Sequence, residues 1–149
     1  MKELVIEWQR LLDEKEQTCP RCSCTEQEVD KAVKELNELL EPLGIVASLV
    51  KQAIDPETFK KDALQSNKIL IAGETLEAWL GATTGQSKCC DTCGDADCRT
   101  IEYAGDTHEA IPSELIVRAG LTAATYLFKI QQPQIRPRIS VLKIKSKKV

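Results

Sequence analysis

Seven cysteines against a single histidine, gathered into two tight groups, constrain this 149-residue chain more than any other feature. The first group reads Cys19-Pro20-Arg21-Cys22-Ser23-Cys24. The second runs Cys89-Cys90-Asp91-Thr92-Cys93-Gly94-Asp95-Ala96-Asp97-Cys98. An odd count leaves no complete disulfide framework, so the fold has to rest on a hydrophobic core, which a chain of this length can build as one domain. Inert buried cysteines would be scattered through apolar segments. Clustered ones in a reducing compartment point instead to metal ligation or to catalytic thiol chemistry.

The first residues, Met-Lys-Glu-Leu-Val-Ile-Glu-Trp, carry acids inside their apolar stretch and lack a small-residue cleavage site, so no signal peptide is expected. No window nears the roughly 18 apolar residues of a membrane span. A soluble, cytoplasmic protein with no membrane partner is the expectation. The net charge of −3 hides a division, because all 23 acids lie at or before Glu114. Residues 1–114 balance to −11, whereas residues 115–149 hold 8 basic side chains and no acid. Arg136, Arg138, Lys143, Lys145, Lys147 and Lys148 make a basic end that could meet an acidic partner. No interleaved aromatics or known nucleic-acid motif accompany them, so nucleic acid is not the expected partner. The expected division is a cysteine-rich domain over 1–129 and a basic C-terminal tail over 130–149.

Residues 3–12 mix β-branched and aromatic side chains in partial alternation, which predicts an opening strand. Val29, Ala32, Val33, Leu36, Leu39, Leu40 and Leu43 follow helical spacing, and Gly44 ends that helix. Thr25 with Glu28 forms a capping box at its start. Residues 45–51 predict a second strand, completing a βαβ unit. Asp55 caps and Pro56 opens a short helix to about Leu64. Residues 68–71 predict a compact apolar strand, and Ala72-Gly73 turns it back into 75–79. The stretch 81–99 reads as an irregular loop, residues 100–110 as a hairpin, and Pro112 starts a last helix that Gln131-Gln132-Pro133 ends.

This order, a βαβ unit followed by ββα with a cysteine-rich loop insertion and a basic C-terminal extension, is the α/β arrangement of a thioredoxin-like domain. The phrase Lys68-Ile69-Leu70-Ile71-Ala72-Gly73-Glu74 looks like that fold's strand-turn-strand segment. Over about residues 4–125 the wording also resembles a prokaryotic family catalogued as a domain of unknown function and placed near thioredoxins. Ile6-Glu7-Trp8-Gln9-Arg10, Cys19-Pro20-Arg21-Cys22, Ser66-Asn67-Lys68-Ile69-Leu70-Ile71, Trp79-Leu80-Gly81, Gly85-Gln86-Ser87, Ala110-Ile111-Pro112 and Glu114-Leu115-Ile116 carry the likeness. The resemblance implies a fold and no activity.

Two readings of the first cysteine group turn on where its helix begins. With Cys19 as cap and Pro20 in the first turn, the helix dipole favours a Cys19 thiolate and Cys22 lies inside the helix, the arrangement of a thiol-disulfide oxidoreductase. With the box at Thr25 as start, residues 19–24 form a loop and Cys-Pro-Arg-Cys is a metal knuckle. The local sequence favours the second start. Thioredoxins also place a cis proline where this chain reads Ser66-Asn67, and the missing proline weighs against general disulfide exchange. Arg21 remains available to hold a thiolate charge.

Cys90-Asp91-Thr92-Cys93-Gly94 is a second knuckle-like pair, and two such pairs commonly complete a four-sulfur zinc site. Cys19, Cys22, Cys90 and Cys93 are the expected quartet, with Cys24, Cys89 and Cys98 as alternates. Soft thiolates select zinc first, then an iron–sulfur cluster, copper(I) or a thiophilic metalloid such as trivalent arsenic. If Cys19 and Cys22 are redox-active, the partner is a protein thiol or disulfide. His108 reads as a solvated strand residue, and Trp8 and Trp79 as core.

Overall fold

A computed structural model describes residues 1–12, 15–88 and 96–130. Strand β1 (Lys2–Leu11) alternates as the sequence predicts, and Leu4, Ile6 and Trp8 on one face are fully buried. Helix α1 (Pro20–Leu40) crosses to β2 (Ile45–Ile54), which lies parallel to β1 from Lys2↔Ile45 to Leu11↔Ile54. The crossover closes through a 3-10 turn at Glu41–Leu43 and Gly44, whose φ of 73° suits a residue without Cβ. Asn37 then grips the backbone of β2, donating to the Ala47 carbonyl at 2.9 Å and accepting from its N–H at 2.8 Å.

After α2 (Pro56–Lys61) and a 3-10 turn at Ala63–Gln65, β3 (Lys68–Ile71) returns antiparallel to β1, pairing Trp8 with Ile69 and Ile6 with Ile71. Strand β4 (Glu74–Thr75) pairs with β3 across Ala72-Gly73, both at positive φ, as a two-residue hairpin turn requires. The sheet order is β2-β1-β3-β4. The expected return segment at 75–79 departs from the strand: after two paired residues Thr75 accepts from the Ala78 N–H and starts helix α3 (Leu76–Leu80).

Within the expected irregular loop at 81–99, residues 83–88 and 97–99 are paired backbone, while 89–95 lie outside the described residues. β5 (Thr83–Lys88) lies antiparallel to β6 (Asp97–Tyr103), and β7 (Asp106–His108) completes a second sheet in the order β5-β6-β7. Its Gly, Thr and Ser content suggests loop, yet ladder bonds and burial of Arg99, Thr100 and Ile101 override that propensity. The final helix α4 (Ser113–Phe128) packs on α1. A Cβ at Gly120 would stand 2.7 Å from Leu36 Cδ1, so the two helices meet where only hydrogen fits. Val29, Ala32 and Leu36 of α1, Ile116, Ala119 and Ala123 of α4, and the buried faces of β1 and β3 form one core.

A buried ion pair ties the second sheet to α3. Glu77 of α3 accepts from Arg99 of β6, and Arg99 also donates to the Leu64 carbonyl at 2.8 Å and to Thr84 Oγ1 at 3.2 Å. Among the described residues no helix is long and apolar enough to cross a membrane.

Candidate functional site

Helix α1 begins at Pro20 with Cys19 as its N-cap, at φ −68° and ψ 164°. Proline is favoured here because its fixed φ suits a first helical position and its missing N–H is one the helix leaves unbonded anyway. The Ser23 N–H closes the first turn on the Cys19 carbonyl at 2.9 Å. The start expected at the Thr25 and Glu28 capping box is therefore overturned, and the reason is tertiary. Thr25 is fully buried, and its Oγ1 accepts from the Ile111 N–H at 3.1 Å. Glu28 Oε1 accepts from the Ser113 N–H at 3.2 Å, placing a carboxylate at the first turn of α4. Both residues serve a neighbouring helix rather than their own.

Cys19 and Cys22 thus stand three residues apart on one side of the first turn of α1, 3% and 2% exposed, where the positive end of the helix favours a sulfur anion. Close to Cys22 lies the Ser66-Asn67 segment at the entrance to β3. Ser66 Oγ is 3.8 Å from Cys22 Sγ and accepts from the Leu11 N–H at 3.0 Å. Asn67, at φ 62° and 1% exposed, accepts from Trp8 Nε1 at 3.4 Å and donates to the Glu109 carbonyl at 3.0 Å. The 3-10 turn leading into Ser66 is capped by Asp62. The Gln65 side-chain amide holds the Asp62 carboxyl below the usual carboxylate range; slight burial opposes this, and the Leu64 N–H and the Arg99 charge add to it.

Arg21 does not turn toward the thiols, as the sequence suggested. Its buried guanidinium reaches across to the second sheet, where Nη2 donates to Ser87 Oγ and to the Lys88 carbonyl, both at 3.0 Å, and pairs with Glu109 Oε2 at 3.4 Å. That carbonyl belongs to the peptide bond leading into Cys89. The residue between Cys19 and Cys22 therefore holds the chain at the threshold of the second cysteine group. Cys98 is buried on β6 in register with Ser87, whereas Cys24 is exposed on α1. Cys89, Cys90 and Cys93 lie outside the described residues, as does the basic stretch 131–149. Among the described residues no three or more Cys, His, Asp and Glu side chains converge. His108 lies on β7 opposite Ile101, Trp8 is core, and Trp79 donates to the Ile71 carbonyl at 2.8 Å.

The place of Ser66 beside the cysteines is signalled by the missing proline at Ser66-Asn67, whereas nothing local distinguishes Ser87 and Glu109. Each becomes a neighbour of the cysteine turn only through pairings more than 20 residues away.

Fold and site together define a mixed α/β domain with a buried pair of cysteines at a helix N-terminus. The chain belongs to the family described as Domain of unknown function (DUF2703), which matches residues 4–120. A relative from Archaeoglobus fulgidus, described as an uncharacterized protein, is 42% identical over 114 residues, covering 76% of this chain and 82% of the relative. No solved structure matches the chain.

Proposed function

We propose that the chain binds a soft metal or metalloid ion through cysteine thiolates, zinc foremost, on a thioredoxin-like scaffold. The observation that carries this reading is the placement of Cys19 and Cys22 in the first turn of α1, both buried beside a backbone tie from Arg21 to the residue before Cys89. The helix end favours the sulfur anions that soft ions require. Burial favours a small partner over a large one. An ion needs only a narrow path to a buried cysteine, whereas a protein disulfide must be brought against it. Cys19 and Cys22 supply two donors, and Cys90 and Cys93 would complete a four-sulfur zinc set. A trivalent metalloid would need only two or three sulfurs.

The scaffold reading rests on the sheet order β2-β1-β3-β4, with β1 and β2 parallel around α1 and β3 and β4 antiparallel. Protein purified anaerobically without added metal, then analysed for elements and titrated with zinc and with arsenite, tests the proposal. Stoichiometric uptake that Cys19→Ser and Cys22→Ser abolish is expected. No bound metal together with no affinity for either ion defeats it.

The helix start at Pro20 favours a second reading, thiol-disulfide exchange. The Cys19 thiolate would attack a substrate disulfide and release one thiolate. Cys22, after losing its proton, would then attack the Cys19 sulfur, leaving a Cys19–Cys22 disulfide and a substrate reduced by two electrons. A Cys22→Ser variant trapping mixed disulfides through Cys19 would select this reading.

A further inference from the structure

We infer that Ser66 is a positioning residue for the thiolate site: its hydroxyl donates a hydrogen bond to the Cys22 sulfur and holds that sulfur, as an anion, ready for a soft ion. The inference rests on the ion-binding reading and adds the residue that tunes it.

The direction of the bond follows from the surroundings of Ser66. Ser66 is 1% exposed, so its hydroxyl is shielded from bulk solvent. The Leu11 N–H at 3.0 Å occupies one lone pair of Oγ, and a backbone N–H can only donate. The hydroxyl proton still needs an acceptor, since a buried polar group left unbonded is destabilising. Among the described residues the other polar atom in range is Cys22 Sγ at 3.8 Å, within reach for a sulfur bond. Ser66 therefore accepts from strand β1 and donates to helix α1. A donor aimed at sulfur strengthens as the sulfur becomes anionic, because bonds to charged acceptors are about twice as strong as neutral ones.

The position of Ser66 is fixed from both sides. Its N–H bonds the Ala63 carbonyl at 3.1 Å, closing the 3-10 turn that Asp62 caps. Asn67 locks the following peptide by its bonds to Trp8 and Glu109. Arg99 holds the Leu64 carbonyl two residues before Ser66. The donor is thus preorganised in the way that partners of metal ligands are in general, and removing such partners typically weakens metal affinity by about 10–100-fold.

Co²⁺, which reports thiolate ligation by a sulfur-to-metal charge-transfer band, is the probe. The full chain is titrated with Co²⁺ under reducing, anaerobic conditions as wild type, Ser66→Ala and Ser66→Thr. Ser66→Ala is expected to bind about tenfold or more weakly. Its charge-transfer band should move to longer wavelength, because a sulfur without the hydrogen bond holds its electrons less tightly. Ser66→Thr, which keeps the hydroxyl, is expected to restore both. A loaded Ser66→Ala protein with an unmoved band and an affinity within about twofold of wild type overturns the inference, since loss of packing alone does not shift that band. If Ser66→Ala does not fold, the wild-type chain decides: the Ser66 ¹³Cβ resonance must move on Co²⁺ or Cd²⁺ addition, and its invariance overturns the assignment. If the wild-type chain takes up no Co²⁺, zinc or arsenite, the ion-binding reading itself falls and this inference with it.

Discussion

Replacing Glu77 by Gln should loosen the joint that sets the second sheet against the cysteine turn. Glu77 and Arg99 are 5% and 6% exposed, so the change leaves a guanidinium buried with its Leu64 and Thr84 bonds but without its counter-charge. Removing one partner of a buried pair costs about 3–5 kcal/mol. In a domain of this size about 1 kcal/mol moves the unfolding midpoint by roughly 3–5 °C, so the melting temperature should fall by about 10–20 °C. The reverse holds for the pair as a whole. Among the described residues Glu77 Oε1 and Arg99 Nε meet no hydrogen-bond partner, so the pair is incompletely satisfied. A double replacement, Glu77→Met with Arg99→Met, should recover most of the loss, as apolar substitution of buried ion pairs commonly does. Urea unfolding of wild type, Glu77→Met, Arg99→Met and the double variant forms the cycle that measures the coupling. Single losses below about 1 kcal/mol, or a double variant whose loss equals the sum of the singles, would refute the claim that these charges matter mainly to each other.

Gly120→Ala should destabilise by about 1–3 kcal/mol, because its Cβ would press on two Leu36 methyl carbons at 2.7 and 2.9 Å; a Leu36→Ala background should absorb most of that effect, and unfolding in urea reads both. Asp62 has a folded pKa below its unfolded value near 3.9, so its stabilising effect is present above about pH 4 and is lost as the pH falls through the lower folded value. The stability gap between wild type and Asp62→Ala should accordingly be full at pH 7 and close in stronger acid; a gap that widens on acidification contradicts the assignment. Zinc at about 100 times its dissociation constant should stabilise the wild type by about 2.7 kcal/mol, and Cys19→Ser should abolish that gain in a thermal melt. An equal gain in Cys19→Ser would remove Cys19 from the ligand set.

Most of the scaffold is legible in local pattern. The alternation in β1, the helical spacing from Val29 to Leu40, the Gly44 stop, the Asp55-Pro56 helix start and the Ala72-Gly73 turn each satisfy a backbone rule within a few residues. What local pattern misplaces is instructive. Thr25 and Glu28 have the spacing of a capping box, but a capping box is only a threonine oxygen and a glutamate carboxylate offered to nearby N–H groups. In the folded chain the N–H groups of Ile111 and Ser113 claim both, from more than 80 residues away. That long-range claim frees α1 to start six residues before Glu26, at Pro20, with Cys19 as its cap. The same competition explains the second sheet, where Arg21, Glu77 and Arg99 draw polar, glycine-bearing segments into paired strands that their composition alone would leave as loop. The chemistry of Cys19 and Cys22 is thus decided far from them. Two donors at the N-terminal end of α4, Ile111 just before it and Ser113 in its first turn, move the start of α1, and that start turns two cysteines of a knuckle-like motif into a buried pair at the positive end of a helix.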